Sequence, residues 1–370
     1  MKLTYEAKIY PNKRQEAKLS AIIEGCRHLY NQALEDKITI YKDSGKSISR
    51  YDLQKAYKGS ENYPSLPASV KQMVFYRLER SYSNFFRKSG KFPRFKSYGR
   101  YRSFELRTYG IDYRFKDGKL SIYRGIGEMR MRGFRESENY AMGRIVKRAN
   151  GWFVQYGVEV AEKNPVKIKK KIGIDVGLKS FLTDSDGNHV DSPKFFRKSQ
   201  RKLSVKQRLL SKAKKGSNRR KKKKQQVAIL HEKIAKQRRD WLHKLSKKYA
   251  ENYDLIAVED LNIGGMVKNR HLSKSISDAS WGMFTNMLGY KMKILGRQMV
   301  KVDPKYTSQI CSGCGAMVKK SLSVRTHRCP ECGLAMDRDE NAALNILSKG
   351  RECLAARVGC RASLRPADMY

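Results

Sequence analysis

Apolar side chains recur along this chain with two different periods, and the switches between them mark its elements. Leu3, Tyr5, Ala7 and Ile9 alternate with polar residues, as in a strand with one buried face, and Pro11 ends the run. From about Lys13 the spacing becomes helical through Leu19, Ile22, Ile23, Cys26, Leu29, Tyr30 and Ala33. A second helix after Pro64 and Pro67 carries Val70, Met73, Leu78, Tyr82 and Phe85. Asp117-Gly118 and Asn150-Gly151 sit between strand-like segments as hairpin turns. Residues 1–10 and 100–162 thus read as a β module, with a helical module over 11–99 inserted in it.

Beyond Pro165 the pattern restarts. IGIDVG is an apolar strand with a Gly turn, and Asp186-Gly187 closes the returning strand. A very basic helical stretch follows, broken near Gly216-Ser217, whose second arm places Val227, Leu230, Ile234, Trp241, Leu245 and Tyr249 on one stripe. Next come the strand DLIAVEDL, a helix with Trp281, Phe284, Leu288 and Leu295, and a short strand around MVKVDP. A cysteine module over 311–336 and a short capped helix, DENAALNIL, complete the order. Residues 166–310 and 337–350 form one predicted unit that the cysteine module interrupts. From Arg351 no periodicity is left, which predicts a disordered basic tail over 351–370.

Charge narrows the partners. Eighty Lys and Arg against 35 Asp and Glu give a formal net charge of +45, which points to a polyanion rather than a small metabolite. No run nears the roughly 20 apolar residues of a membrane-spanning helix, and no signal-peptide core precedes the first strand, so nucleic acid is the expected polyanion. Seven cysteines are an odd number, and the two Cys-x-x-Cys pairs suit a metal site in a reducing compartment. A cytoplasmic, nucleoid-associated protein is expected, with no membrane partner.

Two sets of residues carry chemistry. Cys311, Cys314, Cys329 and Cys332 form two pairs separated by fourteen residues, a spacing for tetrahedral coordination of one structural Zn²⁺. Asp175 closes an apolar strand and Glu259 ends another, where an ionised carboxylate is costly unless it is paired or binds a metal. Asp260 reads as solvated. Asp337 and Asp339 open the helix after the cysteines; either can be the third acid or only a helix cap. Acids from two strand ends and a helix start can hold two Mg²⁺ or Mn²⁺ ions for phosphodiester hydrolysis. No nucleophile elbow, P-loop or dinucleotide fingerprint competes, and a glycosidase has no use for the charge. RRKKKK at 219–224 suits backbone contact. FFRKSGKFPRFKSYGRYRSF mixes cations with aromatics, which makes Arg94, Lys96, Arg100 and Arg102 candidate nucleic-acid contacts, while Phe85 and Phe86 are expected in the core.

The ordered set GIDVGLKSF, IAVEDLNIGGM, VDPKYTSQICSGCG and CPECGLAMDRDENAALNIL, with FPRFKSYGRYRSF upstream, resembles the TnpB family of insertion-sequence-encoded RNA-guided endonucleases, related to type V CRISPR effectors. The resemblance implies a multidomain α/β chain: a RuvC-like, RNase H-like nuclease domain with an inserted zinc ribbon that binds target nucleic acid. A β-barrel wedge-like module carrying a helical recognition module precedes it. It implies Asp175, Glu259 and Asp339 as the metal-binding catalytic acids, settling the third in favour of the acid before x-Asn-Ala-Ala. It also implies a guide RNA (omega RNA) that selects double-stranded target DNA next to a short adjacent motif, with no protein oligomer required. Lys71, Gln72 and Tyr76 lie in the part of the recognition module that resembles the surface facing that motif. Two rival functions use the same scaffold, a non-cleaving regulator of transposition and a transposase.

Overall fold

The N-terminal alternation forms strand β1 (Lys2–Tyr10), with Ala7 and Ile9 buried and Leu3 and Tyr5 packed partly against the same core. The computed structural model describes residues 1–59, 63, 66–122, 125–270, 273–321, 323–356 and 361–362, in two units, Met1–Val160 and Ala161–Tyr370.

In the first unit Asn12 opens α1 (Lys13–Ser44) with a capping box: its Oδ1 accepts the Gln15 N–H while Gln15 Oε1 accepts its own. All seven apolar positions of the predicted stripe are buried, and Gly45 ends the helix in the left-handed conformation at φ 69°. A second capping box, Ser49 with Asp52, starts α2 (Arg50–Ala56), which buries only Leu53 and so leaves no periodic signal. Helix α3 (Ala68–Phe86) begins directly after Pro67. Its buried stripe ends at Leu78; Phe85 and Phe86, expected in the core, are 36% and 72% exposed because the last turn runs past it.

Strands β2 (Ser103–Leu106), β3 (Tyr113–Lys116), β4 (Lys119–Ile122), β5 (Gly127–Arg132), β6 (Tyr140–Arg148) and β7 (Gly151–Glu159) join β1 in an antiparallel sheet of order β2-β6-β7-β1-β5-β4-β3. Asp117 and Gly118, at φ 50° and 68°, make the β3–β4 turn. The sheet curls: Tyr113 donates its hydroxyl to Ala141 O, and its ring lies 2.8 Å from where a methyl on Gly143 would stand. The end strands β2 and β3 do not pair, so among the described residues the expected barrel is a curled open sheet, its gap spanned by a side chain rather than by ladder bonds.

The second unit runs β8 (Lys171–Asp175), β9 (Leu182–Asp184), β10 (His189–Val190), α4 (Phe195–Ser211), α5 (Asn218–Asn252), β11 (Leu255–Glu259), α6 (Ile263–Met266), α7 (Ser273–Ala279), α8 (Trp281–Ile294) and β12 (Gln298–Val302). It continues through β13 (Thr326–Arg328), β14 (Ala335–Asp337), α9 (Arg338–Ala356) and β15 (Arg361–Ala362). The main sheet has the order β10-β9-β8-β11-β12-β15, with β8, β11 and β12 parallel. Strand period two divides its residues between layers. Ile172, Ile174, Ile256 and Val258 pack with α5 and α8, whereas Leu255 and Ala257 share a core with Ile346 of α9. Helix α9 extends nineteen residues, six into the segment expected to be a disordered tail, because Cys353 and Leu354 of that segment pack against the core of Leu255, Ala257 and Ile346; β15, also in that segment, pairs with β12. Residues 357–360 and 363–370 of that segment lie outside the described residues. No described helix is long and apolar enough to cross a membrane.

Candidate functional site

Val258 pairs with Ile174 in parallel register, so Asp175 and Glu259 follow at the carboxyl ends of adjoining strands. Alternation turns both toward the α9 layer. Gly173, two residues before Asp175, lets α9 come down on β8, and Gly350 does the same on β11, where an added methyl would meet Ala257 Cβ at 2.6 Å. Asp339, in the first turn of α9, is thereby carried to the strand ends. Ends of parallel strands in open α/β sheets are where ligands bind.

Glu259 and Asp339 each lie near enough to Asp175 to act on its carboxyl, although among the described residues the three acids do not close to within 4.8 Å of one another. Burial raises the Asp175 carboxyl well above the usual carboxylate range, and Glu259 and Asp339 raise it further; Arg338 and the Val176 N–H oppose the shift. Burial also raises Glu259, against the Thr307 hydroxyl, which donates to its Oε1 at 2.6 Å, and against Lys349. Among the described residues neither Asp175 nor Glu259 forms an ion pair. Asp260 is turned away and pairs with Lys301 at 3.4 Å. Asp337 accepts the N–H groups of Asp339, at 2.7 Å, and Glu340, at 3.4 Å, so it caps α9.

The four cysteine Sγ atoms lie within 4.8 Å of one another, the only such group of three or more possible ligands among the described residues. Cys311 and Cys332 are 3.6 Å apart, as are Cys314 and Cys329. A tetrahedral ion with ~2.3 Å bonds to sulfur needs edges of about 3.8 Å, so the residues fit zinc with no open position. Without a metal the thiols act on one another: backbone N–H groups of Cys332 and Glu331 lower the Cys329 thiol to about 7, whereas, against the N–H groups of Ala316 and Leu334, neighbouring thiols raise Cys314 and Cys332.

Several residues that couple the two centres escaped the sequence reading. Asn341 Nδ2 and Asn345 Nδ2 both donate to Ile310 O, at 2.8 and 2.7 Å; Asn341 Oδ1 accepts the Ser312 N–H, and Asn345 also donates to Thr307 O. Arg338, 7% exposed, donates to Ser321 O and Ser308 Oγ. Arg325 of the β13 hairpin reaches Asp339 at 3.8 Å. Asn341 and Asn345, four residues apart at the start of and within the apolar run NAALNIL, were the available signal, since buried amides must find partners.

The candidate contacts of the first unit divide. Arg94, Arg100 and Arg102 are exposed. Lys96 folds inward, its backbone clamped by Asn31 and its ammonium 5.4 Å from the Tyr30 ring. Gln72 accepts a hydrogen bond from Arg107, and the Arg50 guanidinium covers Tyr76 at 3.7 Å. Lys71 is half-buried.

Comparison with known proteins adds three matched family profiles: "Probable transposase" over residues 154–270, "Cas12f1-like, TNB domain" over 281–346, and "Helix-turn-helix domain" over 1–46. Over that last stretch the structure holds β1 and one unbroken helix. A Streptomyces pristinaespiralis "Putative RNA-guided DNA endonuclease" is 32% identical across 98% of this chain and 92% of its own length. The Escherichia coli K12 "Putative RNA-guided DNA endonuclease InsQ" is 31% identical across 95% and 93%. The solved "mini-RNA-guided endonuclease CRISPR-Cas_phi3" shares the fold at TM-score 0.53 and 9% identity, over 95% of this chain and 92% of that one.

Proposed function

The chain belongs to the TnpB family, and on that premise we propose that it is an RNA-guided DNA endonuclease cutting both strands of its target at one acidic centre. The carrying observation is that Asp175 stands near Glu259 and Asp339 at the ends of β8 and β11, without an ion pair on either strand acid among the described residues. Such a set repels itself unless cations intervene.

In this reading Asp175, Glu259 and Asp339 hold two divalent ions, Mg²⁺ or Mn²⁺, which when bound would activate water and stabilise the leaving oxygen. Thr307 orients Glu259, and Asp337 fixes the start of α9 so that Asp339 stays aimed at the strand ends. The second unit is a RuvC-like, RNase H-like domain, and the zinc ribbon inserted in it guides target nucleic acid toward the acids. A cavity of about 350 Å³ in that ribbon, lined by Lys320, Arg325 and Arg328 among others, suits a phosphate backbone. In the first unit the curled sheet is the wedge-like module and α1–α3 the recognition module. Arg94, Arg100 and Arg102 contact phosphates, while Lys71, Gln72 and Tyr76 face target DNA at the adjacent motif, with Arg107 bonded to Gln72 and Arg50 over Tyr76.

Asp175→Ala tests the reading. Cleavage of a target matched to the copurifying RNA should be abolished while RNA and target binding stay within about twofold of wild type. Persistent cutting would remove Asp175 from its role. Sequencing the copurifying RNA tests the guide separately: a discrete RNA with a variable end supports it, and random cellular RNA overturns it.

A further inference from the structure

Between residues 81 and 104 the chain has eight aromatic residues, seven Lys or Arg and no acid. Six of these rings fall into two groups. Tyr101 and Phe104 are buried, at 3% and 2% exposure, and belong to the core. Phe86, Phe92, Phe95 and Tyr98 are 72%, 45%, 56% and 82% exposed. Removing such rings from water stabilises a fold by roughly 25 cal/mol per Å², and here that gain is forgone at four positions in one segment.

The segment is nevertheless built. At the end of α3 Lys88 takes the left-handed conformation at φ 55°, and the N–H groups of Ser89 and Gly90 both close on Asn84 O. The chain therefore folds back and sets Phe92 edge-on against Phe85 at 5.3 Å and against Tyr82 at 5.6 Å. Phe86 closes the cluster, 5.4 Å from Phe85 and stacked at 6.2 Å on Tyr82. Farther along, Asn31 pins the Lys96 backbone by two hydrogen bonds, at 2.7 and 3.1 Å, and Arg27 adds a third, while Pro93 is buried. Phe95 and Tyr98 thus stand outward from an anchored loop. Around the rings, Arg87, Lys88, Lys91, Arg94 and Arg100 form no ion pair among the described residues.

The geometry points to a nucleobase-stacking platform for unpaired RNA, with Phe86 and Tyr98 as its principal rings and the unpaired cations holding the flanking phosphates. A protein partner would need a core emptied of charge, whereas these rings are interleaved with cations; a strand of nucleotides offers both π-faces for the rings and phosphates for the cations. RNA is the occupant rather than DNA because exposed aromatic clusters promote aggregation unless their cover is constant, and a guide stays bound while targets come and go. The inference rests on the RNA-guided reading for that last step alone.

The test uses the full chain and a twelve-nucleotide oligouridine carrying one 5-iodouracil, cross-linked by light and mapped by mass spectrometry. Cross-links should fall on Phe86 or Tyr98. The Phe86→Ala/Tyr98→Ala double variant should lose them and bind the oligomer roughly tenfold or more weakly, while an abasic oligomer of equal charge binds both proteins alike. Tyr98→Trp should retain the cross-link. Cross-links confined outside residues 81–104, or equal losses for the abasic oligomer, overturn the platform. Stronger cross-linking of the deoxy oligomer at the same rings overturns the RNA assignment, and a concentration-dependent dimer lost in the double variant assigns the patch to self-association instead. None of these readouts needs cleavage or a guide, so failure of the nuclease reading leaves its own distinct signature.

Discussion

Gly173 lies so close beneath α9 that a methyl on its Cα would stand 2.1 Å from the carbonyl oxygen of Ala343 and 2.7 Å from the Leu347 nitrogen. Both obstacles are backbone, so the helix itself would have to lift, and Asp339 would lift with it. Gly173→Ala should cost on the order of 3 kcal/mol or more and reduce cleavage beyond the loss of folded protein. Gly264→Ala is the matched control, since its methyl would meet only Asn262 Oδ1 at 3.8 Å. Thermal melts and single-turnover cleavage at a temperature where both variants are folded distinguish them; equal behaviour would show that α9 can shift freely.

Asp175 is buried and close to two other carboxylates, so neutralising it should relieve the metal-free protein. Asp175→Asn keeps the shape and removes one charge; a gain on the order of 1 kcal/mol is expected, or about 2–4 °C in the melting of a unit this size. Cleavage should be lost. Added Mg²⁺ should raise the melting temperature of the wild type more than that of the variant. A less stable variant without metal would show that the carboxylate serves the fold.

The four-cysteine module is joined to the candidate acidic centre by hydrogen bonds from α9, not by sequence proximity alone. Asn341 and Asn345 hold Ile310 O, one residue before Cys311. Cys332→Ser, or removal of zinc by a chelator, should therefore loosen the first turns of α9 as well as the ribbon. One equivalent of zinc should be measured in the wild type and little in the variant, with faster amide exchange near residues 338–345 and lower folded yield. Normal zinc content and stability would refute the structural role.

The strands and helices with one buried face were legible because periodicity records which side meets the core: the α1 stripe and the alternation of β1 are examples. Residues whose role depends on distant backbone were not. Helix α2 buries one side chain, and nothing in an apolar pattern marks it. Phe85 and Phe86 continue the α3 spacing, but a period does not say where the core beneath it ends. At the site, the acids stood out because charge is unusual at an apolar strand end. Thr307 and Arg338 did not, since their partners are Glu259 Oε1 and the Ser321 carbonyl, fixed only by the tertiary fold.

Lys291 of α8 donates to His243 O at 2.6 Å and Ser246 Oγ at 2.7 Å, and burial lowers its ammonium to about 8 from the usual 10.5. Between those values the unfolded chain binds the proton more fully, so this group makes stability rise with pH from about 8 toward 10.5 and adds no slope below. Lys291→Met should flatten that part of the curve. The difference between the two proteins is the measurement, because the +45 net charge also relaxes at high pH. Parallel curves would mean that the ammonium reaches water.

Asp337 and Asp339 are two residues apart and should fail in opposite ways. Asp337 spends its carboxylate on the N–H groups of Asp339 and Glu340, a helix cap whose loss typically costs about 1 kcal/mol. Among the described residues Asp339 accepts no such bond; it lies 3.8 Å from Arg325 and near Asp175. Asp337→Ala should melt lower, and Asp337→Ser, which can still cap, should recover most of that loss; both should retain cleavage when assayed well below their melting temperature. Asp339→Asn should fold and bind RNA normally yet not cut. If Asp337→Ser were inactive and Asp339→Asn active, the third acid would be the cap residue and the site would have to be rebuilt around it.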